Sequence, residues 1–336
     1  MPPDMEPPAI QQPAAPTTKP AAQAAEWPNP LIPQRADPWV IRHTDGYYYF
    51  TASVPQYDRI ELRRARDIAG LATAEPVVVW KRHTKGPMGN HIWAPELHFI
   101  DGKWYVYFAA GTAEDKWAIR IYALSTAAAN PLDGPWEELG RVKTDWETFC
   151  LDATTFEHKG ARYMIWAQKT PSKPSGTDLY MARMKSPTEL ELPATMISEA
   201  EFKWEREGFA VNEGPAVMIH GGKVFVAYSA SATDARYCMG LLTADAEADL
   251  LDPKSWKKSP APVFASDEKA GIYGPGHNSF TVAPDGGTLM VYHARSYKQI
   301  KGDPLYDPNR HTRVQRVDWS PAGEPVFGTP APDDRR

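Results

Sequence analysis

Asp37, Ala94, Asp152, Glu213 and His277 stand at matching places in five segments of like grammar, and four of the five are ionisable. The segments are ADPWVIRHTDGYYYFTAS from Ala36, APELHFIDGKWYVYFAAG from Ala94, DATTFEHKGARYMIWAQK from Asp152, EGPAVMIHGGKVFVAYSAS from Glu213 and HNSFTVAPDGGTLMVYHAR from His277. With 42 acids in 336 residues, composition alone would put fewer than one carboxylate among five such positions, and three are found. Singly, Asp37 could be a turn residue before Pro38, Asp152 a strand cap and Glu213 a solvated acid beside Gly214-Pro215. Jointly they ask for a use, because anions held together raise one another's pKa. Cleavage of a glycosidic bond needs one carboxylic acid to protonate the leaving oxygen and one carboxylate to activate water or attack carbon. A third carboxylate can then keep the acid protonated near neutral pH and orient it.

Such chemistry requires elements that bring distant segments to one point. Each segment reads as a β-hairpin, a β-prone run, a turn and an aromatic-rich strand, with turns at Asp45-Gly46, Asp101-Gly102, Lys159-Gly160, Gly221-Gly222 and Asp285-Gly286-Gly287. A shorter pair of runs follows each hairpin: IELRRARDIAG then PVVVW, AIRIYALS then WEELGRV, DLYMARMK then ATMIS, YCMGLLTAD then APVFAS, and TRVQRVDW then EPVFGT. Four antiparallel strands repeated five times predict an all-β, five-bladed β-propeller. Paired β-sandwiches would not explain a period, and the five positions lie 57, 58, 61 and 64 residues apart. The first strand of a propeller blade is innermost, so five equivalent strand starts converge on one mouth of the central channel.

The rest of the composition narrows the partner. A net charge of −5 and the lack of a Lys/Arg run exclude nucleic acid as the main ligand, and no apolar stretch is long enough for a membrane span. Two cysteines, Cys150 and Cys238, are too few for a disulfide framework and read as buried thiols. The first 26 residues hold seven Pro and seven Ala without apolar periodicity, so residues 1–27 are expected to be a disordered arm and 28–336 a single propeller domain. No secretory signal is visible in this numbering.

The motifs ADPWV at Asp37, WAPEL at Trp93 to Leu97, LDATTF around Asp152, NEGPAV around Glu213, GPGHNSF around His277 and the late DPNRHTRVQ resemble glycoside hydrolase family 43, a family of inverting five-bladed propellers. The resemblance runs from about Arg35 to Val326. It implies that Asp37 is the general base, Glu213 the general acid and Asp152 the modulator that orients Glu213 and holds its proton. It further implies that His277 is a candidate ligand of a hydrated calcium or other cation in the central channel, and that Arg310 reaches the bound sugar, with Arg313 as the alternative. Trp93 is a candidate platform for a sugar ring, and Glu96 a candidate for bonding its hydroxyls. No cofactor is required for the chemistry.

The phrases around Glu213 and Arg310 are most similar to the α-L-arabinofuranosidase branch, including exo-acting enzymes on α-1,5-arabinan. The expected substrate is therefore an arabinofuranosyl-bearing plant cell-wall polysaccharide or oligosaccharide. A β-xylosidase of the same family is the alternative, disfavoured because only about ten residues follow the last expected blade and the β-sandwich usual in family β-xylosidases would be missing. A retaining fructan-type furanosidase and a non-catalytic carbohydrate-binding propeller are the rival classes. The enzyme is expected to be a monomer, and the Pro/Ala arm points to a secreted or periplasmic location.

Overall fold

The computed structural model describes residues 26–334; the expected disordered arm lies outside the described residues except for Glu26 and Trp27. Five antiparallel sheets follow one another along the chain. Blade 1 comprises Ala36–Arg42, Tyr48–Ser53, Arg59–Ala65 and Val77–Lys81, and blade 2 Asn90–Ile100, Lys103–Gly111, Arg120–Thr126 and Glu137–Arg141. Blade 3 comprises Cys150–His158, Ala161–Gln168 and Asp178–Ser186, with Thr195–Ser198 and the short Glu189–Leu190 both beside the third strand. Blade 4 comprises Asn212–His220, Lys223–Ala230, Cys238–Asp245 and Lys257–Lys258, and blade 5 Tyr273–Val282, Thr288–Arg295 and His311–Arg316. The protein is a five-bladed β-propeller, and among the described residues the helical segments are short 3-10 turns.

The aromatic and β-branched load explains the ring. Second and third strands of each blade are buried on both faces, so their side chains fill the gaps between blades rather than one common core. Tyr49, Ile60 and Leu62 pack on Ile92, Trp104 and Val106 between blades 1 and 2. Tyr107 and Ile121 meet Met164 and Trp166 between blades 2 and 3, and Ile165 and Met181 meet Val224 and Tyr228 between blades 3 and 4. Phe225 and Met239 meet Met290 and Tyr292, and Leu289 and Val291 meet Val40 and Phe50, which completes the circle.

Two outer strands differ from the sequence expectation. In blade 4 the edge is Lys257–Lys258, and APVFAS contributes a single bridge from Phe264 to Met239. In blade 5 EPVFGT does not join the blade; Pro325–Val326 pairs with Asp318–Trp319 as a separate two-stranded ribbon. The outer edge of His311–Arg316 is met instead by the N-terminal segment, where Leu31 and Ile32 bond Thr312. The Asn29 side-chain amide donates to Val314 O at 3.2 Å and accepts from Val314 N at 3.1 Å, doing the work of a ladder pair. Trp27 Nε1 donates to the same carbonyl at 3.0 Å, so a residue expected in the arm is part of the closure that joins blade 5 to the start of the chain.

Candidate active site

One backbone device, repeated five times, builds the site. On each inner strand two consecutive residues are skipped by the pairing: Asp37-Pro38, Ala94-Pro95, Asp152-Ala153, Gly214-Pro215 and His277-Asn278. Each is a β-bulge with one extra residue against its partner strand, which bends the strand and re-aims a side chain at the channel mouth. The first bulge residue is left-handed every time, with φ of 53° at Asp37, 44° at Ala94, 56° at Asp152, 53° at Gly214 and 42° at His277. That conformation costs about 1 kcal/mol or more for a residue with a Cβ, and such strain gathers at functional sites.

The register corrects one equivalence drawn from sequence. The blade 4 counterpart of Asp37, Asp152 and His277 is Gly214, and Glu213 precedes the bulge, at the level of Ala36 and Gly276. Glycine suits that position because a Cβ on Gly214 would press against the His277 ring, 3.0 Å from its Cγ. The freed amide donates to Asp152 Oδ2 at 3.0 Å and ties blade 4 to blade 3.

Neighbouring blades hold the other bulges. Ser53 Oγ accepts from Ala94 N at 2.8 Å while donating to Asp37 Oδ2 at 2.6 Å, Ser229 Oγ accepts from His277 N at 2.7 Å, and His293 Nδ1 accepts from Asp37 N at 3.1 Å. All three acceptors sit opposite the residue that precedes the bulge of their own blade.

Asp37, Asp152, Glu213, His277 and Arg310 together line a cavity of about 460 Å³ at one mouth of the ring, within the usual range of small-ligand sites. Burial would raise Asp37, but the Arg310 guanidinium at 3.3 Å and the imidazoles of His277 and His293 outweigh it, and its carboxyl lies well below the usual carboxylate range. Burial raises Asp152 well above that range, reinforced by the charges of Glu213 and Asp37. Burial also raises Glu213, to about 7, against the opposing hydrogen bond of Tyr237, whose hydroxyl donates to Glu213 Oε1 at 2.8 Å. Asp152 and Glu213 titrate as a pair that keeps a proton towards neutral pH, while Asp37 stays ionised.

Arg310 is fixed on both sides. Its second guanidinium nitrogen donates to the Tyr57 hydroxyl at 2.7 Å, which in turn donates to Leu305 O at 2.6 Å, part of the pocket wall. Trp93 lines the pocket, stacked on His91 with centroids 4.4 Å apart and edge-on to Tyr57.

Glu96 and Arg313 lie elsewhere. After the bulge Glu96 turns into the body of the ring, where it is buried and bonded to His98 Nε2 at 2.9 Å. Burial raises Glu96 and pushes His98 down to about 3, so the pair is a neutral acid bonded to a neutral imidazole and not a surface for sugar hydroxyls. Arg313 lies within the third strand of blade 5, and its guanidinium bonds Ser296 Oγ and Asp333, away from the cavity.

The residues do not fit a protein-held cation. His277 Nδ1 stands 3.4 Å from Asp37 Oδ1 and 3.8 Å from Asp152 Oδ2, and no group of three His, Cys, Asp or Glu among the described residues could hold a metal ion. A cation bound by this imidazole would take its other ligands from water.

Tyr57, Tyr237 and His293 complete the site and were missed in the sequence, because they come from the loop after a second strand, the residue before a third strand and the body of a second strand rather than from hairpin starts. Trp117 and Phe209, 48% and 64% exposed, also line the cavity and offer apolar faces at its rim.

The family profile described as "Glycosyl hydrolases family 43" matches residues 27–325. The chain is 56% identical, over 94% of its length and 66% of the relative's, to an extracellular exo-α-(1→5)-L-arabinofuranosidase of Streptomyces avermitilis. It is 51% identical to α-L-arabinofuranosidase 43 of Humicola insolens, over 93% of its own length and 65% of the relative's. The chain thus spans about two thirds of the length of these relatives. A crystal structure of an α-L-arabinofuranosidase from Lactobacillus brevis superposes with a TM-score of 0.90 at 49% identity, covering 94% of this chain and all of that one.

Proposed function

The chain belongs to glycoside hydrolase family 43, and from that premise we propose that it is an inverting, exo-acting α-L-arabinofuranosidase that removes terminal arabinofuranosyl units from arabinan, arabinoxylan or their oligosaccharides. The observation that carries this reading is the division of charge in one cavity, a carboxylate held ionised by Arg310 facing a carboxyl pair that retains a proton. Acid and base must act in the same turnover, and an environment that drives their pKa values apart supplies both forms at one pH.

In this mechanism Glu213 protonates the glycosidic oxygen and Asp37 takes the proton of the water that attacks the anomeric carbon from the opposite face. Asp152 shares the pair's proton with Glu213 and, by accepting from Gly214 N, fixes the backbone next to it. Arg310 keeps Asp37 ionised and presents its remaining donors to the sugar, and Trp93 supplies a face for the ring. No cofactor takes part. The names of the relatives favour the 1,5 linkage and action outside the cell.

The test is hydrolysis of 4-nitrophenyl α-L-arabinofuranoside against 4-nitrophenyl β-D-xylopyranoside, then of α-1,5-arabinan and arabinoxylan, with product anomers read by proton NMR. Arabinose of inverted configuration supports the reading. Retained configuration, or xylose as the main product, overturns it. Asp37→Ala and Glu213→Ala should each lower turnover on arabinan by at least about 10²-fold with the fold intact.

A further inference from the structure

Tyr237 and His293 lie face to face, with ring centroids 5.6 Å apart and planes within 5° of parallel. Both are 1% exposed. Their polar ends reach different carboxylates: the Tyr237 hydroxyl donates to Glu213 Oε1 at 2.8 Å, while His293 Nδ1 accepts the Asp37 amide at 3.1 Å and stands 3.3 Å from Asp37 Oδ1. The two rings therefore bridge the residue read as acid and the residue read as base.

They also come from different blades. Tyr237 precedes the third strand of blade 4, and His293 lies in the second strand of blade 5. The stack has a built seat in the GPGHNSF segment, where a Cβ on Gly276 would lie 2.5 Å from Tyr237 Cε1 and 2.6 Å from its Cδ1. Only glycine leaves room for the ring at that depth. The backbone of Tyr237 is pinned as well, its amide donating to Asp234 O at 3.1 Å.

We propose that the Tyr237–His293 stack is the spacer that sets the separation and orientation of Glu213 relative to Asp37, with Tyr237 a positioning residue for proton delivery to the leaving group and Gly276 its seat. The proposal rests on the reading of Glu213 as the general acid and Asp37 as the base. Inversion needs the two carboxyl groups about 6.5–9.5 Å apart so that a water fits beside the sugar. A misplacement of about 1 Å can cost about 10²-fold in rate. A buried aromatic pair locked by packing is stiff, whereas a glutamate held by its own side-chain torsions alone is not. The hydroxyl fixes which face of the Glu213 carboxyl points at the pocket, because one oxygen is occupied and the other is left to carry the proton.

The experiment uses two variants and two substrates. Tyr237→Phe keeps the ring and the stack and removes only the donor, and Gly276→Ala keeps the donor and displaces the ring. The kcat and KM of each are measured on 4-nitrophenyl α-L-arabinofuranoside, whose leaving group needs little protonation, and on α-1,5-arabinobiose, whose alkoxide leaving group depends on it. Tyr237→Phe should lower kcat on arabinobiose by about 10–100-fold and on the aryl substrate by less than about threefold, with KM little changed. Gly276→Ala should lower kcat on both, since the spacing to the base changes too.

Equal losses of kcat on the two substrates in Tyr237→Phe, or no loss on either, overturn Tyr237 as the positioning residue for proton delivery, and a folded Gly276→Ala with kcat unchanged overturns the spacer; both results leave the glycosidase reading in place. Wild-type protein inactive on both substrates overturns the parent reading and the spacer with it. Should Gly276→Ala not fold, the leaving-group dependence of Tyr237→Phe decides alone.

Discussion

Replacing Glu213 by Gln should abolish turnover and at the same time make the protein more stable at alkaline pH. Burial and the nearby charge of Asp37 raise this carboxyl from 4.5 to about 7, in a site it shares with Asp152. An acid with a raised folded pKa binds its proton more tightly when folded, so its contribution to stability is full below the unfolded value and is lost as pH climbs to the folded one. By pH 8 that loss is at most about 3 kcal/mol, and less because Glu213 is only partly buried and keeps access to water in the pocket. Glutamine cannot ionise, and its carbonyl still accepts from the Tyr237 hydroxyl. At ~1.5 °C per kcal/mol for a propeller of this size, Glu213→Gln should melt about 2–4 °C above wild type at pH 8. The gap should close at pH 4. The assay is differential scanning calorimetry of both proteins between pH 4 and pH 8, with turnover measured in parallel. A gap independent of pH, or a wild type that is the more stable at pH 8, would refute the claim that a carboxyl with a raised pKa stands at this position.

Other substitutions separate electrostatics, closure and packing. Arg310→Met removes the cation that holds Asp37 ionised, so the acidic limb of kcat/KM should move to higher pH by about one to two units, as expected for losing a charged hydrogen bond of about 1.5–3 kcal/mol; a raised KM with an unmoved limb would mean that Arg310 serves the sugar alone. Trp27→Ala should lower Tm by several degrees with kcat unchanged, because it opens the contact between the N-terminal segment and blade 5 without touching the pocket. Arg313→Met should likewise destabilise, by about 1.5–3 kcal/mol through loss of the buried guanidinium's hydrogen bonds to Ser296 Oγ and Asp333, and leave the pH profile where it is. Chemical denaturation combined with 4-nitrophenyl arabinofuranoside kinetics distinguishes these outcomes.

The period of the fold was legible because each blade carries its own hairpin turn and its own aromatic strands, and those signals are local. Asp37, Asp152 and Glu213 could be picked out for the same reason, since they sit at hairpin starts. Their exact alignment was not legible, because a bulge adds one residue without changing the side-chain alternation on either side of it. Glu213 and Gly214 are adjacent, and only the pairing of Glu213 with Ser229 and Ala216 with Ala227 shows that the left-handed position is the glycine. The same blindness covers Glu96 and Arg313: strand alternation says that a side chain changes face, and it does not say whether that face is the channel or the gap between blades. Tyr237 was beyond reach for a deeper reason. Its function follows from a hydroxyl placed by packing against Gly276 and His293, residues 39 and 56 positions away, and such a contact has no local sequence signal. The closure by Trp27 and Asn29 against Val314 is of this kind as well, a pairing across nearly the whole chain. What a repeated sequence can announce is therefore the scaffold and the groups it carries to the channel mouth; the pKa separation that makes an acid and a base of like carboxylates depends on the burial of Glu213 and Asp152 and on Arg310, His277 and His293 around Asp37, which come together only when the ring closes.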